Sequence, residues 1–148
     1  MADRFKTPLV GFHYGLRIDG IEIAYFTKVS GLNSESEVIE EKVSDVKGRD
    51  HARKIPGRRK VSDITLERGV TDEMSLWNWR KEIEDGKYPE ALKNGSVVMF
   101  DQQGVEVARW NFVNAWPSKL DGPQADSTSN AIAVEKLTIV PEELTRVT

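Results

Sequence analysis

The sequence predicts a mainly β protein: an antiparallel barrel or sandwich of six or seven strands, one flanking helix at about 72–85, and a long charged loop at about 44–60. Three observations predict it. Short runs alternating apolar and polar residues recur along the chain, turn residues separate them, and only one segment carries a helical period. The 148 residues suit one domain spanning 1–148, a length able to bury roughly 70% of its unfolded surface without covalent staples.

Residues 12 to 26 read as a hairpin. Phe12, Tyr14, Leu16 and Ile18 alternate with His13, Gly15 and Arg17, Asp19-Gly20 turns the chain, and Ile21, Ile23 and Tyr25 alternate with Glu22 and Ala24; Asp-Gly between alternating runs is a strong hairpin signal. A third strand falls across Glu35 to Val43, with Glu35, Glu37, Ile39, Glu41 and Val43 on one face. Neither face is cleanly apolar, as expected of an edge strand or a ribbon wetted on both sides until a partner covers it. Residues 44–60 show little periodicity, hold seven Lys or Arg from position 47 onward, and contain Gly48 and Pro56-Gly57; they read as a long loop, and loops of that length are usually functional or disordered. A strand follows at Lys60 to Arg68.

The helix is predicted from Asp72 to Asp85, with Thr71 or Asp72 as cap, acids in its first turn and Gly86 past its end. At 100° per residue Leu76, Trp79 and Ile83 share a stripe within about 60° and face the core, whereas Trp77 and Met74 point elsewhere, to be half-covered by a loop or kept for another subunit. After an Asn94-Gly95 turn, Ser96 to Asp101 and Val105 to Phe112 form a second hairpin around Gln102, Gln103 and Gly104. A loop over Ser118 to Asn130 leads to a last strand, Ala131 to Val140.

Composition and motifs narrow the chemistry. The absence of Cys removes disulfides, thiolate metal sites and a Cys nucleophile, and fits folding in a reducing compartment. His13 and His51 have no metal-ligand spacing, no Gly-x-Ser-x-Gly elbow is present, and Gly57-Arg58-Arg59-Lys60 lacks the form of a phosphate loop. Asn94-Gly95-Ser96 matches a glycosylation acceptor but reads better as a turn. The longest apolar run is four residues, for example Val97 to Phe100, against the about 20 of a membrane span, so no stable membrane insertion is expected. Cofactors: none are expected. A net charge of −3 opposes global attraction to nucleic acid. Locally, the acids Glu35, Glu37, Glu40 and Glu41 precede the bases Lys47, Arg49, Arg53, Arg58 and Arg59. That layout has three readings: two solvated faces, complementary patches meeting between copies of the chain, or a phosphate-binding loop without interleaved aromatics. With Ile39 and Trp77, these residues are the candidate subunit-interface residues; catalytic residues are not expected.

The wording of the chain carries a resemblance. Asp19-Gly20-Ile21, Val29-Ser30-Gly31-Leu32, Glu37-Val38-Ile39-Glu40, Lys54-Ile55-Pro56-Gly57, Ile64 to Thr71 and Leu76-Trp77-Asn78-Trp79 resemble the tail tube proteins of contractile-tailed phages and the inner tube proteins of contractile injection systems. So do Asn94 to Val98, Glu106 to Phe112, Asn114 to Lys119, Gly122-Pro123, Ala133 to Glu135 and Leu137 to Ile139. The segments span almost the whole chain in family order, while the Gly48 to Arg53 stretch looks individual to this protein. The resemblance implies a structural subunit, not an enzyme: hexameric rings stacked into a hollow conduit for DNA or effector-protein cargo, propelled by sheath contraction. It implies as partners further copies of the chain, a contractile sheath protein, baseplate or spike proteins and a tail terminator, with assembly in a bacterial cytoplasm into a virion tail or injection particle. A tube protein of a type VI-like secretion apparatus is the alternative within that class. A nucleic-acid-binding barrel using the 47–60 basic loop is the distant one.

Overall fold

The computed structural model describes residues 12–19, 21–70, 73–123 and 133–148. Among them the first hairpin forms as expected, β1 (His13–Ile18) against β2 (Ile21–Phe26). Asp19 takes the left-handed conformation (φ 54°) that such a turn requires. After Thr27 the chain continues as β3 (Lys28–Ser30), then β4 (Glu35–Ser44), β5 (Asp50–Lys60) and β6 (Ile64–Gly69). Helices α1 (Ser75–Glu84) and α2 (Tyr88–Ala91) follow, then β7 (Lys93–Phe100), β8 (Glu106–Asp121), β9 (Val134–Val140) and β10 (Glu143–Arg146).

One antiparallel sheet runs β2-β1-β7-β8-β9-β6-β3, with β10 also on β8. Its two ends are β2 and β3, parts of one run interrupted only by Thr27, whose amide itself donates to the Glu67 carbonyl (2.9 Å). The sheet therefore closes on itself as a barrel, which removes the exposed edges an open sheet would carry. β8 makes this possible by its 16-residue length and three register shifts along it. At the middle one, Asn114 adopts φ 49°, its amide donating to Asn94 Oδ1 (2.9 Å), and the strand bends from its pairing with β7 toward that with β9.

Alternation dictates the core. Leu16, Phe26, Ile64, Leu66, Val97, Phe112, Leu137 and Ile139 project inward and are almost fully buried. α1 adds Leu76 and Trp79, with Ile83 partly buried beside them, the stripe its spacing predicts. The Trp79 indole N–H donates to the Ala91 carbonyl (2.7 Å), tying α1 to α2. The helix ends where expected: Gly86 has φ 80°, its amide donates to Ile83 O and the Lys87 amide to Glu82 O, the paired bonds of a Schellman stop.

Several expectations are corrected. The region 44–60 is not a long loop: residues 50–60 form β5, paired along β4, because Ser44 to Arg49 is a tight turn and the polar flanks satisfy their backbone groups on each other. Among the described residues ten strands stand where six or seven were expected; β3 is hidden in the run that continues β2, β5 lacks apolar alternation, and β10 turns only Leu144 toward the core. The helix is capped at Met74 without a side-chain bond and has no acid in its first turn; Glu73 Oε1 instead accepts the Ser75 amide from just outside (2.9 Å), and Thr71 and Asp72 lie outside the described residues. Asn94-Gly95 belongs to β7 rather than to a turn. The loop at 118–130 begins only after Asp121, and most of it, like Ala131, lies outside the described residues.

Candidate assembly surface

The candidate residues other than Trp77 gather on one object. β4 and β5 make a separate two-stranded sheet, and among the described residues these strands pack extensively only on each other. At about 3.4 Å per residue the ten-residue β4 projects roughly 30 Å as an arm. Among the described residues its two long edges have no partner strand.

The turn at the tip is built by one aspartate. Asp45 Oδ1 accepts the amides of Lys47 (2.8 Å) and Arg49 (2.9 Å), the Asp45 amide donates to Arg49 O and the Gly48 amide to Asp45 O, and Gly48 takes φ 76°. The β7-β8 turn repeats this arrangement: Asp101 Oδ1 accepts the amides of Gln103 (2.8 Å) and Val105 (2.9 Å), with Gly104 at φ 81°. Aspartate followed three residues later by a left-handed glycine is thus a hairpin turn used twice.

The root of the arm is equally determined. A Cβ on Gly31 (φ 90°) would stand 2.0 Å from the Asp63 carbonyl oxygen, so the two strands leaving the barrel pass closer than any other residue allows. Beside it Arg59 Nη2 meets Glu143 Oε1 of β10 at 3.4 Å, an exposed pair worth little to stability. Farther out, Gly57 admits the Ile39 side chain, which would lie 2.9 Å from a Cβ there.

Register answers the question raised by the charges. Glu35 is paired with Lys60, Glu40 with Lys54 and Glu41 with Arg53, so opposite signs face each other across the arm of one chain. No ion pair within 4.0 Å joins them among the described residues, however, and the side chains remain exposed. Glu35, Glu37, Glu40, Glu41, Lys47, Arg49, Arg53, Arg58, Arg59 and Ile39 are therefore presented outward together. Trp77 stands apart on α1, 37% exposed and one turn from exposed Met74. Among the described residues these surfaces offer extended backbone edge, charge and apolar area.

A barrel with a projecting ribbon and an outer helix can be compared with known proteins. The family model for the T4-like virus tail tube protein gp19 matches residues 10–145. The chain belongs to that tail tube family. Solved tube structures agree. A chain of the PVC extracellular contractile injection system, in its extended sheath-tube complex, superposes with TM-score 0.77 at 26% identity, over 99% of this chain and 96% of that one. A chain of the anti-feeding prophage tube-terminating cap gives 0.75 at 28% identity, over 96% and 92%. Hcp1 of Flavobacterium johnsoniae gives 0.53 at 19% identity, over 90% and 93%, a likeness of fold alone. No curated protein matches. In this tail tube protein Leu76 and Trp79 belong to the buried core, while the arm and Trp77 face outward. No described helix is long and apolar enough to cross a membrane.

Proposed function

We propose that this tail tube protein is a structural, non-enzymatic subunit, a single tube-forming domain that assembles into hexameric rings stacked as a hollow conduit for DNA or effector-protein cargo. The observation that carries the reading is the arm: a two-stranded ribbon with both edges unpaired among the described residues, projecting from a closed barrel in a chain of the tail tube family. Such a ribbon gains backbone hydrogen bonds and buried area only from another chain. Within the barrel, by contrast, the strand edges are already paired by closure.

The partners of the reading are further copies of the chain, a contractile sheath, a baseplate or spike and a tail terminator. Support comes from the injection-system and prophage-cap chains that superpose along nearly its full length. Assembly would take place in a bacterial cytoplasm. Identities of 26–28% with the PVC and prophage chains against 19% with Hcp1 favour a phage tail or injection particle over a type VI-like apparatus.

Negative-stain electron microscopy of the purified protein at high concentration tests the proposal. Hollow rings or tubes of uniform width are expected. A protein that stays a compact monomer at every concentration, and also in the presence of its baseplate, would refute it. The nucleic-acid reading makes a different forecast, a strongly salt-dependent duplex affinity lost on changing Arg58 and Arg59 to Ala.

A further inference from the structure

The arm sorts its charges by strand. β4 carries Glu35, Glu37, Glu40 and Glu41 against one base, Lys42, whereas β5 carries Arg53, Lys54, Arg58, Arg59 and Lys60 against one acid, Asp50. One long edge of the ribbon is therefore acidic and the other basic. Near the root Arg59 meets Glu143 of β10, and near the tip Asp50 Oδ1 accepts the Ser44 hydroxyl (2.6 Å). Between them, among the described residues, Glu40, Glu41, Arg53 and Lys54 are exposed and have no ion-pair partner. Apolar area is uncovered there as well, with Val38 65% and Ile39 46% exposed.

Two such ribbons can join edges in three ways. β4 on β4 sets acid beside acid, β5 on β5 sets base beside base, and only β4 on β5 sets opposite charges beside each other. Like charges directly opposite across strands destabilise a sheet and opposite charges stabilise it. Symmetry separates the same cases. A twofold axis produces the first two, while rotation about an axis along which the arms lie brings β4 of one copy against β5 of the next. The two strands then run antiparallel, as they do inside one arm. At equal height the register of the arm repeats between copies, with Glu40 opposite Lys54, Glu41 opposite Arg53, Val43 opposite His51 and Ile39 opposite Ile55. Pro56 has no amide to donate, so the new ladder stops short of it and runs over Ile39 to Ser44 and Asp50 to Ile55.

We propose that the acidic β4 edge of one arm pairs with the basic β5 edge of the arm of a second copy, side by side along the tube axis. The inference rests on the tube reading and names the two surfaces by which neighbouring subunits join. A second copy is the occupant because the two edges lie on opposite sides of one ribbon and cannot meet within a chain, yet match each other in sign, register and strand direction. The contact is heterologous, the type that closes into a ring when the rotation closes, and in a closed ring of arms no ribbon edge remains open.

Because the chain has no cysteine, chains carrying only Val43→Cys and differently tagged chains carrying only His51→Cys can be linked at these positions solely between copies. They are mixed, oxidised under assembly conditions and read on a non-reducing gel and by electron microscopy, beside a control that pairs Val43→Cys with Asn78→Cys on α1. The expected result is tubes together with a disulfide-linked heterodimer that the control lacks. A further chain carrying Glu40→Lys, Glu41→Lys, Arg53→Glu and Lys54→Glu keeps opposite signs across its own arm but inverts both edges. It is expected to form tubes by itself and to be lost from the tubes of differently tagged parent chains. Should it fail to fold, the cysteine link decides alone. Tubes without the heterodimer, a link only between two Val43→Cys chains, or inverted and parent chains sharing tubes would each overturn the edge pairing and leave the tube reading intact. The heterodimer without tubes supports the edge pairing and counts against the tube reading. Neither heterodimer nor tubes overturns both.

Discussion

Arg68 and Glu135 face each other from paired positions of β6 and β9, both nearly inaccessible to water, with the Arg68 guanidinium over the Phe26 ring at 5.7 Å. Burying such a pair carries a desolvation cost that its attraction roughly offsets, but removing one partner leaves a buried charge uncompensated. Arg68→Ala is therefore expected to cost about 3–5 kcal/mol in urea unfolding, while the double change Arg68→Met with Glu135→Leu costs far less; equal losses in the two variants would contradict this. Glu73 behaves differently because it is more exposed. Its carboxyl is held below the ordinary value chiefly by the Ser75 hydroxyl, with burial acting the other way, then by the Ser75 amide and by Arg68. A depressed carboxylate contributes stability that is present above its unfolded pKa, near 4.5, and is lost as pH falls through the folded value. Thermal melting of Glu73→Gln should then show a flatter acid limb below about pH 4.5 than the parent, with little change in slope near neutrality; identical limbs would exclude the contribution. Neither residue was singled out by sequence reasoning. An Arg and a Glu at alternating positions in two strands look like ordinary surface charges until the register shows which face they share.

At the scale of elements, α1 was largely legible and the arm was not. The helix announces itself because Leu76, Trp79 and Ile83 recur with its period and Gly86 stops it. That stripe makes a paired prediction. Leu76→Ala should destabilise by about 2–5 kcal/mol through the cavity it leaves, whereas Trp77→Ala should leave chemical denaturation within about 1 kcal/mol of the parent while reducing assembly seen by light scattering. The arm was misread because its strands bury nothing within one chain, so no apolar alternation marks them. Its turn did carry a signal, Asp45 to Gly48, the same spacing as Asp101 to Gly104, where flanking apolar strands made the hairpin obvious. Replacing residues 40–54 by an Asn-Gly turn shortens the arm without touching the barrel core. That variant should keep the parent circular dichroism spectrum and run as a folded monomer, yet form no tubes; normal tubes would remove the arm from the assembly mechanism.

For the whole molecule, closure of the barrel through β2, Thr27 and β3 leaves assembly to the edges of the arm and to surface features rather than to edges of the barrel sheet. Whatever binds the folded subunit and not the unfolded chain raises its apparent stability, so in the proposed tubes the melting temperature should rise with protein concentration, and the arm-shortened variant should melt at a constant temperature across the same series. A concentration-independent parent would show that neighbours add nothing to the fold. The amino-acid sequence by itself determined the β class, the first hairpin, the helix and its buried stripe, and the membership of the tail tube family, because these rest on local periodicity, turn chemistry and residue identity. Only the tertiary structure decided that the sheet closes, that Arg68 meets Glu135, and that the acidic and basic runs face each other across one arm. Each depends on which distant strands pair and in which register, a choice made by the collective burial of the core and not encoded in any single segment.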